Sequence, residues 1–272
     1  MSANRLGKYR LLRRLGSGGM GEVYLAELTG AGGFARRVAV KAIHAEIAAK
    51  PRFRQLFERE GKALAALNHR GVVSVIELGE EDNRLFLAME YLDGITLRRW
   101  ISERGNLDWP MVAFVGGEVA RALAAAHAVR NDQAPDGLVH GDISPSNVML
   151  CRDGAVKLLD FGLARPAGTE RSVSGISGKL PYLAPEFLGG TPPDAATDIY
   201  ALGVVLYECI AGFCPFDGET ELELLNRILR GAPTKLSPDV IPDELHHVIL
   251  RALSRDRGLR HVQAGELAEA LD

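Results

Sequence analysis

Gly16-Ser17-Gly18-Gly19-Met20-Gly21-Glu22-Val23 is the stretch on which the fold turns. Its spacing fits GxGxxG, a pattern shared by nucleotide-binding architectures that differ in the element after the glycines. A dinucleotide-binding fold needs a helix there, so that the helix N-terminus meets the pyrophosphate. Here Glu22-Val23-Tyr24-Leu25 reads as a strand, as does the preceding 9–15 segment, so the glycines join two antiparallel strands. Without a Cβ in the way, such a loop can lay backbone N–H groups over a triphosphate. GxxxxGK[ST] is absent, which removes the Walker-type phosphate loop.

Outward from the loop, 22–28 and the β-branched 37–43 continue the strands, and 72–78 and 85–91 add two more. Between them Phe53, Leu56, Phe57, Leu64 and Leu67 recur at helical spacing. After Gly94 the pattern changes to helices over 112–128, 198–211, 222–230, 244–253 and 262–271, with a small hairpin, 148–150 and 156–159, around Asp153-Gly154. Strands first and helices afterwards predict an α+β fold rather than alternating βαβ.

Composition narrows the function classes. The chain has 272 residues, with Lys+Arg 32 against Asp+Glu 35, for a net charge of −3. That leaves no global field favouring nucleic acid or an anionic membrane. No apolar stretch approaches the ~18 residues needed to span a bilayer. Three cysteines, Cys151, Cys209 and Cys214, form no CxxC, so a disulfide framework or zinc site is not expected and a reducing cytosol fits. Only 7 of the basic residues are lysines, so each lysine is worth locating.

Lys41 falls on the third strand, on the face of Ala39 and Ile43 by period-2 alternation. A lysine among apolar neighbours needs an anion. Glu60 falls on the apolar stripe of the following helix, seven residues after Phe53, where a carboxylate is costly unless paired. The expectation is a Lys41–Glu60 ion pair that positions Lys41 for phosphate oxygens.

With these residues in place, the chain resembles the bacterial eukaryotic-like Ser/Thr protein kinases from about Tyr9 to Leu271. The resemblance runs through the glycine loop, Val38-Ala39-Val40-Lys41, Glu60 and Met89-Glu90-Tyr91-Leu92 as a hinge. It continues through His140-Gly141-Asp142 with Asn147 five residues after the aspartate, then Asp160-Phe161-Gly162, Ala184-Pro185-Glu186 and the segment from Asp198 to Gly203. It implies a bilobal fold: a small antiparallel-sheet N-lobe with one main helix over 1–92, and a larger helical C-lobe over 93–272.

The resemblance also implies roles. Phosphoryl transfer asks the protein mainly for positioning and charge neutralisation. Lys41 would contact the α/β-phosphates of ATP, Glu60 would pair with it, and Asn147 and Asp160 would ligate Mg²⁺ (or Mn²⁺). Asp142 would orient the substrate hydroxyl and accept its proton. Leu15, Gly16, Gly18, Gly21, Val23, Ala39, Met89, Glu90, Leu92 and Met149 would line the nucleotide slot. Glu186 and Arg260 resemble a buried structural ion pair. Thr169, Ser172, Ser174 and Ser177 are candidate autophosphorylation sites.

Three positions depart from the family. Gly141 replaces the arginine that ordinarily binds a phosphorylated activation loop, which argues against that switch. Ser144 stands where Ser/Thr kinases place a lysine that touches the γ-phosphate, and Lys179 stands where they place a threonine near the catalytic aspartate. One position has lost a lysine and its neighbour has gained one, so Lys179 is expected to reach toward Asp142 and stand in for the missing cation. The alternative is a solvent-facing lysine. His140 and His127 read as packing histidines, His246-His247 as surface, and Arg98-Arg99 as a solvated pair, with contact to substrate as the alternative.

The function these residues imply is an ATP- and Mg²⁺-dependent Ser/Thr protein kinase in bacterial signalling, acting on a protein substrate. It would be cytoplasmic, as a stand-alone kinase or the cytosolic part of a longer protein. A nucleotide-binding pseudokinase scaffold and, from His140-Gly141-Asp142, a small-molecule phosphotransferase are the alternatives.

Overall fold

The computed structural model describes residues 5–132, 134–135, 137–161 and 177–272. Strands β1 (Arg5–Leu6), β2 (Tyr9–Gly18), β3 (Gly21–Thr29) and β4 (Ala35–Ile43) open the chain. Helices α1 (Ala45–Ala48) and α2 (Pro51–Ala66) follow, then β5 (Val75–Glu81) and β6 (Arg84–Glu90). These strands form one antiparallel sheet in the order β1-β2-β3-β4-β6-β5. The β2–β3 hairpin carries the glycine loop at its tip, with Gly18 opposite Gly21.

Beyond the hinge come β7 (Gly94–Thr96), α3 (Leu97–Arg104) and α4 (Trp109–His127). Strands β8 (Val148–Cys151) and β9 (Val156–Leu158) pair with β7 as a second small sheet, the predicted hairpin with one further strand. Helices α5 (Pro185–Leu188), α6 (Ala195–Ala211), α7 (Glu221–Arg230), α8 (Asp243–Ala252) and α9 (Ala264–Leu271) complete the chain. The architecture is the predicted α+β one: a six-stranded antiparallel N-lobe sheet backed by α2, and a helical C-lobe.

Helices α4 and α6 start earlier than hydrophobic periodicity places them, because caps rather than apolar residues set them, whereas α9 starts later than expected, at Ala264. Asp108 accepts from the Met111 backbone N–H and α4 begins at Trp109. Asp194 and Thr197 form a capping box that starts α6 at Ala195. The C-lobe core is built around α6, on which Ile199, Tyr200, Leu202, Val204 and Leu206 are all buried against α4 and α8. A helix buried on nearly every face makes a rigid base for the loops it touches.

One predicted strand is displaced. The expected 72–78 strand begins only at Val75, because the residues before it pair with the C-lobe instead. The Val73 N–H donates to Leu158 O at 3.0 Å, the Leu158 N–H donates to Gly71 O at 2.8 Å, and Val72 bridges Leu158 in parallel. The N-lobe is therefore tied to the small sheet at a second place besides the hinge.

Candidate active site

The glycine hairpin forms the roof. A Cβ on Gly21 would lie 2.1 Å from the Ala42 carbonyl oxygen, so the close approach of β3 to β4 requires glycine there. At Gly16 and Gly18 an added Cβ would meet nothing within 4 Å. The protein itself therefore does not demand glycine at these two positions, whereas a ligand lying beneath the loop would.

Beneath the roof, cross-strand register sets the side chains. Ala39 lies opposite Leu25 on one side and Met89 on the other, and Lys41 lies between Val23 and Leu87. Val23, Ala39, Met89 and Leu92 share one apolar cluster. Leu15 is partly exposed on β2, and Met149 sits on β8 between Thr96 and Lys157. The Glu90 backbone N–H donates to Ser74 O, and its carboxylate accepts from Lys157 Nζ at 2.7 Å.

Lys41 is buried, and its ammonium lies 2.7 Å from Asp160 Oδ1. Among the described contacts the ion-pair partner of Lys41 is thus Asp160, where Glu60 was expected. On α2 the buried residues are Phe53, Phe57, Gly61, Ala63 and Leu64, and Glu60 sits half-buried at the margin of that stripe. Asp160 follows β9 in the left-handed region, at φ 47°, which places its carboxylate before Lys41. Asp tolerates that backbone better than most residues.

The loop bearing Asp142 is held from below by Asp198, a carboxylate buried on α6. Its Oδ2 accepts from the His140 backbone N–H at 2.8 Å, and its Oδ1 from the Gly141 N–H at 2.7 Å. His127 Nε2 is 2.8 Å from the same Oδ2. Gly141 adopts φ 69°, so the position where the family carries arginine is here a glycine-favouring turn. His140 is fully buried against the Phe161 ring and bonds the Leu159 carbonyl at 2.8 Å. Burial holds its imidazole below the ordinary histidine value.

Asp142 lies on this anchored loop. Asn147 Nδ2 donates to the Asp142 carbonyl at 2.7 Å and to its Oδ2 at 3.1 Å. That fixes the amide and leaves its Oδ1 as an acceptor, and the Asn147 carbonyl in turn receives the Leu159 N–H beside Asp160. An amide oxygen and a carboxylate so placed are the hard oxygen donors that Mg²⁺ takes, so these residues fit the metal. Lys179, from the segment before α5, donates to Asp142 Oδ2. The expected reach of Lys179 toward the catalytic-loop aspartate is thus present.

Two contacts lie beyond the sequence reading. Arg98, expected to be solvated, donates Nη1 to Glu208 Oε1 at 2.7 Å and Nη2 to the Tyr182 hydroxyl, which itself donates to Glu208 Oε2 at 2.6 Å. The unread signal was Glu208, a carboxylate inside the apolar run of α6 that needs partners. Asp198 carries the same signal. Arg260, fully buried, makes the expected fork with Glu186, at 2.6 and 2.8 Å. Thr169, Ser172, Ser174 and Gly162 lie outside the described residues.

The sequence profile of the protein kinase domain matches residues 9–266. The tyrosine-protein kinase MasK of Myxococcus xanthus is 39% identical over 278 residues, covering 98% of this chain and 43% of MasK. The serine/threonine-protein kinase PrkC of Bacillus subtilis is 33% identical over 266 residues, covering 96% of this chain and 39% of PrkC. The chain thus spans about two fifths of the length of these relatives. Among solved structures, the PknI kinase domain of Mycobacterium tuberculosis superposes with a TM-score of 0.74 at 30% identity, covering 100% of this chain and 97% of that one. With a matching profile over almost its whole length, relatives above 30% identity and the same fold, this chain belongs to the protein kinase family.

Proposed function

We propose that the chain binds ATP with Mg²⁺ (or Mn²⁺) between its two lobes, 1–92 and 93–272, and transfers the γ-phosphoryl group to a hydroxyl of a protein. The observation that carries this reading is the pairing of Lys41 with Asp160 and of Asn147 and Lys179 with Asp142, the two groups being joined through the Leu159 N–H on the Asn147 carbonyl. Asn147 and Asp160 would hold the metal, which when bound offsets phosphate charge. Lys41 would exchange its contact with Asp160 for the α/β-phosphates. Asp142, fixed by Asn147, would orient the substrate hydroxyl and accept its proton as the oxygen bonds to phosphorus and ADP departs. Lys179 would neutralise charge developing on the γ-phosphoryl oxygens, the task that the lysine missing at Ser144 performs elsewhere.

Ser or Thr is the proposed acceptor, on the names of most similar relatives. Tyr is the second reading, favoured by the likeness to MasK and by Ser144. A place in bacterial signalling and in the cytoplasm belongs to the same proposal. Among the described residues no helix is long and apolar enough to cross a membrane.

The test is intact mass after incubation with Mg·ATP, beside an Asp142→Asn control. Stepwise gains of about 80 Da in the wild type alone, one per phosphoryl group, support the reading, and phosphoamino-acid analysis separates Ser/Thr from Tyr. If no mass is gained and no foreign protein substrate is labelled, the reading fails.

A further inference from the structure

Beside Asp142 a cavity opens between α3, α6 and the segment carrying Lys179. It is lined by Arg98, Ser144, Ser146, Lys179, Tyr182 and Glu208, among others. Its one carboxylate among the described residues is already committed. Both oxygens of the buried Glu208 carboxylate are taken, one by Arg98 and the other by the Tyr182 hydroxyl. Its donors are not. Arg98 is 43% exposed and Lys179 41% exposed, and each carries more N–H groups than its described contacts use.

Ser144 supplies the independent observation. It is 3% exposed, it lines this cavity, and its hydroxyl has no hydrogen-bond partner among the described residues. A buried hydroxyl without a partner costs free energy until one is supplied. A cavity with its one carboxylate occupied, two partly exposed cations that keep spare donors, and an orphaned hydroxyl calls for an anionic acceptor.

We infer that this cavity is a specificity subsite for an anionic side chain of the protein substrate, adjacent to the phosphoacceptor, held by Arg98 and Ser144. The inference rests on the kinase reading for its place beside the transferred group. Arg98 has a double function in it. It neutralises Glu208, which would otherwise attract a basic residue, and it turns its remaining donors to the cavity. Selectivity is thus set by which paired charge still has hydrogen-bonding capacity to spare.

The test uses the full chain and a peptide set with one fixed acceptor, Ser in one arm and Tyr in another. Each neighbouring position in turn is Glu, phosphoserine, Gln or Lys. Turnover and binding by fluorescence anisotropy are read in parallel. Glu or phosphoserine at one position should exceed Gln by about tenfold, the discrimination of one charge-assisted hydrogen bond, with Lys worse than Gln. The Glu and phosphoserine arms distinguish an acidic substrate from a previously phosphorylated one.

Arg98→Met should invert the order toward Lys, because it releases Glu208. Ser144→Ala, the gentler variant, should reduce the Glu-over-Gln ratio severalfold. A wild type that prefers Lys, or that discriminates at no position, overturns the inference. Selective binding without turnover would leave the subsite standing and remove the kinase reading. Turnover without selection would do the reverse, and neither response would remove both.

Discussion

Lys179 donates to the Asp142 carboxylate across the cleft between the anchored catalytic loop and the segment that leads into α5. Position 144, where the resemblance places a lysine, is serine, and the lysine at 179 rests on Asp142. If Lys179 acts on the transferred group, Lys179→Ala should lower kcat by roughly 10²-fold, with less effect on the KM for ATP. Steady-state kinetics check this. A kcat within about threefold of wild type would leave Lys179 as a loop tether only.

The Arg260–Glu186 fork predicts a large stability effect. Arg260 also donates to the Ser254 and Ala196 carbonyls and lies over the Tyr200 ring, so no water can replace its partner. Glu186→Ala leaves a buried guanidinium short of its counter-charge, at a cost of about 3–5 kcal/mol. For a chain of this size the thermal midpoint should fall by roughly 6–20 °C, as measured by calorimetry.

Gly141 predicts a smaller one. A Cβ there would strike nothing within 4 Å, so Gly141→Ala tests the φ 69° conformation alone. The expected loss is about 1–2 kcal/mol, read from urea unfolding. An unchanged midpoint would mean the backbone relaxes, and the N–H bond to Asp198 with it.

Acid should unfold the protein early. Burial pushes His140, His69 and His261 below the ordinary histidine value, so the unfolded chain binds protons that the folded chain refuses. Stability is then full above the unfolded value of about 6.5 and is lost as pH falls below it, most steeply through the fully buried His140 and less through the more exposed His69 and His261. Melting curves between pH 7.5 and 5.5 check the direction. A midpoint that rises on acidification contradicts it.

Legibility in the sequence depends on range. The glycine loop, Lys41 on its strand and the Asp142–Asn147 pair are set by local spacing, and the structure assembles them accordingly. The partner of Lys41 was not legible, because it depends on the rotation of α2 and on the backbone turn at Asp160, neither of which leaves a periodic mark. Arg98 and Glu208 are 110 residues apart, and only the cost of burying Glu208 hinted at a partner. Short β7 and α3 escaped for want of length. Asp198 is the instructive middle case: a carboxylate in an apolar helix announces that it binds something, but not that it binds the backbone of the catalytic loop.

The pairing of residues 71–73 with Leu158 has a mechanical consequence. A sheet joined to its base by one strand of chain could swing and twist freely. Stitched at two separated points, it has fewer ways to shift against that base than one strand of chain alone would leave it.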